Sequence, residues 1–575
     1  MKRENFTKKI FFRLWVPELI SAFGLAFADM ADALVLGHRM QATGLAAISL
    51  CLPIFMVINI FMNSFGLGGS TFYSRYMGEG RTEDARRAFN DTLLPALFIG
   101  IVLAILGNLF IDPVMRVLGA APEDAELYFS AKEYARILIA GTPFVFLNYI
   151  LNYFLRNDNK QKIAAIGFTV ANVFDLVMNV VFVLVLDMGA MGAALSTVLG
   201  QVLACIIYMI ALIGKDSQLH FKPARPQLRQ SFRYFKNGAS LSVQYVFQFV
   251  FILLMNNVLM SFTGEDGVAV FELIQNASFL VLYVFDASAK AMQPLLSTYC
   301  GECNEQELKK AGRLGECIGI ISGGILIVYI LLFPQHICLL FGLMGESIIP
   351  LAKAALRIYC IGAVFAGFST ILENYYQSCD MERSVFVLTT LRGAAVLLPM
   401  TLVFALIGAD YIWYLYPATE LLSLLLFSVW RRLRGEELHI AHRRKFIYEI
   451  HNTSEEISGL SETICDACAD WGIPTKAQFF SGMAAEEICL AIKEHNKDSS
   501  TPVFIQITLV ARSDDTIELH LRDNGLSFNP FALNSGKLTD DDFDEAAMGI
   551  LVIKKRAKEF LYRQYQGFNT LVVKV

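Results

Sequence analysis

At 575 residues, with 55% hydrophobic side chains, only 18% charged ones and a mean hydropathy of +0.49, the chain is too apolar to be soluble throughout. The formal net charge of −5 sums parts of different character and gives no reason to expect nucleic acid as a partner. The character changes at about Gly435, where a series of apolar stretches gives way to an ordinary soluble composition.

In chain order the apolar stretches fall at about 14–37, 45–70, 92–115, 133–155, 164–187, 191–213, 238–262, 268–291, 314–333, 350–376, 385–408 and 411–430. Crossing ~30 Å of hydrocarbon takes ~20 apolar residues as a helix, so these predict twelve transmembrane helices, spans one to twelve. The runs lack the alternation of a β-barrel, and lipid-exposed backbone must satisfy its own hydrogen bonds, so the membrane part is expected to be all-α. The first run has no small-residue cleavage site behind it and is read as a span, not a signal peptide. Lys and Arg cluster at the N-terminus, in alternate loops (Arg75, Arg81, Arg86 and Arg87; Lys215, Lys222 and Arg225) and after the last span at Arg431, Arg432 and Arg434. That bias places both termini, and the soluble tail, in the cytoplasm of a multi-pass protein of the bacterial inner membrane. The pairs Cys300/Cys303 and Cys465/Cys468 each lack a second nearby pair, so no metal site is expected.

The membrane part repeats. Tyr76-Met-Gly78-Glu79, followed by Arg86-Arg87-Ala88, reappears as Tyr299-Cys-Gly301-Glu302, followed by Lys309-Lys310-Ala311. The offset stays near 220 residues, so two six-helix lobes are predicted, residues 1–225 and 226–435. Both should enter from the same side and enclose a cavity between them. Several pieces, in order, carry a resemblance: Asp32-Ala-Leu-Val-Leu-Gly37, the Tyr-x-Gly-Glu-Gly loop with Ala85-Arg86-Arg87, Pro143-Phe144, Leu147-Asn148-Tyr149, Gly189-Ala-Met-Gly192-Ala193-Ala194 and Gln293-Pro294-Leu295. Over about 430 residues the chain resembles the multidrug and toxin extrusion (MATE) family. The resemblance implies two lobes in a V, exporting drugs or small organic cations across the lipid bilayer in exchange for H⁺ or Na⁺.

Ionisable residues within spans are costly and point to function. Glu18, Asp29 and Asp32 fall within about 60° on span one, an acidic stripe facing one way. Asp32 stands at the family's carboxylate position; Glu18 and Asp29 read better as headgroup or interhelical residues. On span five Asn172, Asp175 and Asn179 share a face. The family commonly has Asn before Asp there, and here the order is inverted, which leaves the coupling ion open. Gln244 and Gln248 share a face of span seven, and Glu272 in span eight is a candidate for substrate or Na⁺ contact. Asp286 and Lys290 read as an ion pair, and Arg392 as a partner for Glu373 or Glu420. Acids outnumber bases, which favours a cationic or zwitterionic substrate.

After a charged linker, 436–445, the pattern becomes α/β: helices near 453–470, 478–495 and 547–560, and strands near 502–511, 515–522 and 569–574. Residues 446–575 resemble the GHKL ATP-binding fold, closest to anti-sigma-factor serine kinases. Asp523-x-Gly525-x-x-Phe528 matches the adenine box, Ala547-Met548-Gly549-Ile550 the phosphate-lid box, and Gly567 with Thr570 the last box. Glu487 matches the general base, but Ala491 stands where the family has its metal-binding Asn. The resemblance implies ATP or ADP as a ligand. The loss at Ala491 argues against Mg²⁺ and against an efficient kinase, since Ala offers a hard cation no oxygen. A nucleotide-sensing or docking domain is expected, with an anti-sigma-antagonist-like cytoplasmic protein as an implied partner. No Gly-x-x-x-x-Gly-Lys-Ser/Thr loop is present, so transport energy should come from an ion gradient. Two alternatives stay open: a membrane-anchored sensor with an anti-sigma-like tail, and a lipid-linked sugar flippase, which a basic cavity would favour.

Overall fold

A computed structural model describes residues 6–78, 82–120, 122, 124–158, 160–213, 226–379, 381–434, 444–451, 453–497, 502–511, 516–532, 545–565 and 568–575. Gly567 and most of the linker lie outside them, as do the side chains of Asp29 and Met548. Among the described residues, eleven helical stretches are long and apolar enough to cross a membrane. The chain reverses inside two of the longest helices. Phe6–Gly78 breaks at Gln41 (φ 51°) and Leu228–Gly301 at Gly264 (φ 64°), so each holds two crossings and the bundle makes about twelve. Gly264 adopts this left-handed conformation without a Cβ penalty; Gln41 carries the strain. The two breaks are 223 residues apart, the same offset as Tyr76 to Tyr299, so the duplication read in the sequence is also a duplication of turns. Spans five and eleven share a further irregularity, a π-helical segment at Val180–Val185 and at Leu391–Ala395.

The lobes meet along spans two and seven, where Asn256 Nδ2 donates to the Ser49 carbonyl (2.6 Å) and Ser64 Oγ to Ser242 Oγ (3.1 Å). Large apolar side chains cover the outside, with Leu406 88% and Ile105 61% exposed. In water such a surface would associate; against lipid tails it needs no partner.

The C-terminal domain is a five-stranded antiparallel sheet: β1 (Lys445–His451), β2 (Phe504–Ala511), β3 (Ile517–Asp523), β4 (Glu559–Tyr565) and β5 (Phe568–Lys574), in the order β1-β2-β3-β5-β4. β1 and β4 were not expected. β1 starts inside the predicted linker, and the helix Glu545–Arg556 ends early because its expected last residues form β4. Strand alternation divides the sheet. Odd positions of β2, β3 and β5 (Ile505, Ile507, Leu519, Leu521, Leu571, Val573) join the core under the helices Leu460–Asp470, Thr475–His495 and Glu545–Arg556. Even positions are largely polar (Gln506, Thr508, Glu518, His520, Arg522), yet all five are buried, and Phe504, Val510 and Phe568 pack with the core of the membrane part. The second face of the sheet is therefore covered by the membrane part.

Candidate functional site

In the first lobe one turn of span one presents Asp32 to spans four, five and six. Tyr134 OH donates to Asp32 Oδ2 (3.0 Å), and Asn179 Nδ2 donates to Oδ1. Thr197 Oγ1 lies 3.4 Å from both Asp32 Oδ2 and Asp175 Oδ1 and 3.2 Å from the Ala193 carbonyl, so one hydroxyl stands between the two carboxylates and its single proton can turn to either. Asn179 is fully buried, with its Oδ1 left without a partner. Two carboxylates, an amide oxygen and two hydroxyls form an oxygen-rich cluster that can share a proton or surround a small cation. The inverted Asn/Asp order in span five keeps both groups in one cluster, because Asp175 reaches it through Thr197.

A cavity of about 500 Å³ lies between the lobes, walled by span one (Glu18, Phe27), span five (Phe168, Asn172) and span eight (Tyr283, Lys290) among others. Glu18 and Asn172 thus face this cavity, while Asp32, Asp175 and Asn179 sit behind its wall in the lobe interior. Asp286 and Lys290, also in the wall, form the expected ion pair at 2.6 Å, which leaves Glu18 as the unbalanced charge.

In the second lobe Glu272 is buried; its Oε1 accepts from Asn276 Nδ2 (2.8 Å) and its Oε2 has no hydrogen bond. Gln244 and Gln248 are exposed on span seven and do not line the cavity. Arg392 pairs with both carboxylates, with Glu373 at 3.0 Å and with Glu420 through two bonds of 2.9 and 3.0 Å.

The predicted nucleotide boxes lie at the end of β3. Asp523 is buried, and its Oδ1 accepts from Asn569 Nδ2 (2.8 Å) and from the Gly525 amide (2.9 Å). Its Oδ2 is buried with no partner. An orphaned carboxylate oxygen is costly unless a donor arrives, and the amino group of adenine is such a donor, so the adenine end fits a nucleotide. Gly525 also makes room for a neighbouring side chain. A Cβ there would lie 2.7 Å from Asn496 Nδ2, so the glycine admits the Asn496 amide, whose Oδ1 accepts from the Leu526 amide at 2.8 Å. Gly549 is pressed on Glu487, where a Cβ would fall 2.0 Å from Oε2. Phe528 stacks on His495 at 4.4 Å. In the register Thr570 pairs with Arg522 on the opposite face from Asp523, and Asn569 stands beside Asp523. Ala491 is buried with no oxygen to offer, so the Mg²⁺ position of the resemblance does not fit.

Tyr134, Thr197, Asn569 and Asn496 were missed by sequence reasoning. Only Asn569 carried a signal, since it has the same strand parity as the odd positions that line the core side of the sheet.

Comparison with known proteins agrees with the two-lobe membrane fold and the separate C-terminal domain. The MatE family model matches residues 17–181 and 240–403, one block per lobe, and that of the histidine kinase-like ATPase domain matches 450–575. A "Multidrug export protein MepA" of Staphylococcus haemolyticus is 23% identical over 427 residues, 73% of this chain and 92% of its own length. A "Probable multidrug resistance protein YoeA" of Bacillus subtilis is 24% identical, over 72% of this chain and 93% of its own. Among solved structures, an inward-facing multidrug resistance MATE transporter superposes with a TM-score of 0.64 at 22% identity, over 72% of this chain and 96% of its own. An outward-facing one gives 0.55 at 23% identity, over 75% and 96%. With both lobes matched in order across more than half of its length, the chain belongs to the MatE family and carries a histidine kinase-like ATPase domain at its C-terminal end.

Proposed function

We propose that the membrane part is a secondary exporter of small organic cations or drugs, driven by exchange for H⁺ or Na⁺, with a nucleotide-binding regulatory domain on its cytoplasmic side. The observation that carries the reading is the pair of carboxylates, Asp32 and Asp175, with Thr197 between them, immediately behind an inter-lobe cavity. Glu18 leaves that cavity acidic, and Phe27, Phe168 and Tyr283 offer ring faces to a cation. A basic wall, which a phosphate-bearing lipid-linked sugar would need, is absent among the described lining residues, where Lys290 is neutralised by Asp286. In the cycle, the Asp32–Asp175 cluster takes up the coupling ion on one side, the cation leaves, and release of the ion on the other side restores the negative site. The test is accumulation of a cationic dye in cells expressing the chain, with the proton or the sodium gradient collapsed in turn. Lower accumulation that disappears with one gradient supports the exporter and identifies the ion. Accumulation equal to that of empty cells overturns it.

The tail holds a nucleotide by its adenine end, with Asp523 Oδ2 as acceptor. Burial pushes the Asp523 carboxyl from its ordinary 3.8 up to about 6, against the opposing effect of the Asn569 and Gly525 donors. Because the folded value is raised, the nucleotide-free domain binds the extra proton between these two values, and its stability falls as pH rises through that window. A nucleotide amino group favours the ionised form. Affinity for ATP, measured by calorimetry on the full chain, is therefore expected to weaken as pH drops from about 7.5 to about 5.5. A constant affinity over that range would remove Asp523 as the adenine acceptor.

A further inference from the structure

Adjacent residues of one strand face two different tasks. β3 is the central strand, paired on both edges and buried along its whole length. Asp523 points to the nucleotide side. Arg522, one residue earlier, points to the transporter and forms a buried ion pair with Glu302, in the loop that closes span eight. Its guanidinium also lies 4.9 Å from the centre of the Tyr299 ring. Around this pair Asn304 Nδ2 reaches Thr508 Oγ1 (3.4 Å), Lys445 pairs with Glu305 (2.9 Å), and Phe6 of span one packs edge-on against Phe568 and Phe504 at 5.4 and 6.4 Å. Thr7, on the helix of span one, then contacts Tyr299 OH (2.8 Å) at the end of the span-eight helix and Glu307 on the first turn of the next helix, Glu305–Leu332.

The docking surface thus bridges the helices of spans one and eight, with the start of the helix Glu305–Leu332 beside them, and spans one and eight also wall the cavity. Along each helix the distance from the docked end to the wall is short: Thr7 to Glu18, and Tyr299 to Lys290, are each about 15 Å at 1.5 Å per residue. A rigid body fastened to both ends constrains how far the two walls can part on that side. The fastening is not fully satisfied, because Arg522 Nη1 is buried without an acceptor. A surface with an unmet donor has reason to rearrange when its strand is disturbed.

We propose that the C-terminal domain is a clamp on the mouth of the transport cavity, and that nucleotide at Asp523 sets it through β3 and the Arg522–Glu302 pair. This rests on the reading of the tail as a nucleotide site. Coupling between sites is reciprocal: if nucleotide alters the clamp, altering the clamp alters nucleotide affinity by the same factor. Glu302 belongs to the transporter and touches none of the nucleotide boxes, so it is the residue to change.

The experiment is ATP binding by calorimetry to the purified full chain in detergent, wild type against Glu302→Gln. The expected result is a Kd shifted about fivefold or more. Since Glu302→Gln could detach the domain altogether, amide hydrogen exchange of the wild type over 296–310 is followed with and without ATP. Protection there is expected to change when nucleotide binds. Binding with an unchanged Kd in the variant and unchanged exchange in the wild type overturns the clamp while leaving the nucleotide site intact. No binding to the wild type overturns the nucleotide reading, and the clamp with it.

Discussion

Asp32→Asn is expected to reduce gradient-driven dye efflux by about tenfold or more while leaving the protein folded in the membrane. Asn has nearly the shape of Asp, so the packing between spans one, four, five and six is kept. What it loses is the ability to take up a proton or to carry a charge. The surroundings make that loss specific: Tyr134 and Asn179 both donate to the Asp32 carboxylate, and an amide can present an oxygen to only one of them. Asp175→Asn should cost less, because Asp175 joins the cluster only through the longer Thr197 contact. Efflux is measured with a cationic dye and folding by gel filtration of the extracted protein. Full efflux by a well-expressed Asp32→Asn variant would show that the coupling ion binds elsewhere, with Glu272 the next carboxylate to test.

Arg522→Ala is expected to release the C-terminal domain from the transporter. The change removes one half of a pair in which Arg and Glu side chains are 6% and 7% exposed, and leaves Glu302 charged and buried. Breaking such a pair on one side costs about 3–5 kcal/mol, comparable to the whole stability of a small interface. Replacing both partners, Arg522→Met with Glu302→Leu, leaves no unpaired charge and should restore most of the docking. Limited proteolysis reads the outcome as faster separation of a tail fragment in the single variant and slower separation in the double. Equal rates in wild type and Arg522→Ala would mean that the Phe6, Lys445–Glu305 and Asn304–Thr508 contacts hold the domain without the buried pair.

Much of this architecture was legible in the sequence, for physical reasons that can be named. Hydropathy alone located the spans, because a helix in lipid must be apolar over its full length. The repeated Tyr-x-Gly-Glu loop gave the offset at which the structure repeats its turns, at Gln41 and Gly264. Periodicity placed Asn172, Asp175 and Asn179 on one face, but only packing could separate Asn172, at the cavity, from Asp175 and Asn179, in the lobe interior. Thr197 and Tyr134 gave no sign, since a hydroxyl in a span is commonplace until a carboxylate is found next to it. The tail was read less well. β4 begins where a helical pattern was expected to continue, and β1 is hidden among linker charges. Arg522 and Glu302 are 220 residues apart in the chain, and no local pattern announces a contact of that kind. The polar, even-numbered residues of β3 look like a solvent-facing stripe in the sequence and prove to be an interface.

That double burial has a consequence for how the chain can change. β3 answers to two neighbours: Leu519 and Leu521 to the domain's own helices, and Arg522 to Glu302 and Tyr299 of the membrane part. A substitution at Leu519 or Leu521 can be compensated only from within the tail, whereas one at Arg522 must be compensated from Glu302, on a distant part of the chain. Transplanting the tail onto another exporter would therefore preserve its fold and lose its fit. The residues on the two sides of that interface are therefore expected to change in step, Arg522 with Glu302 first among them.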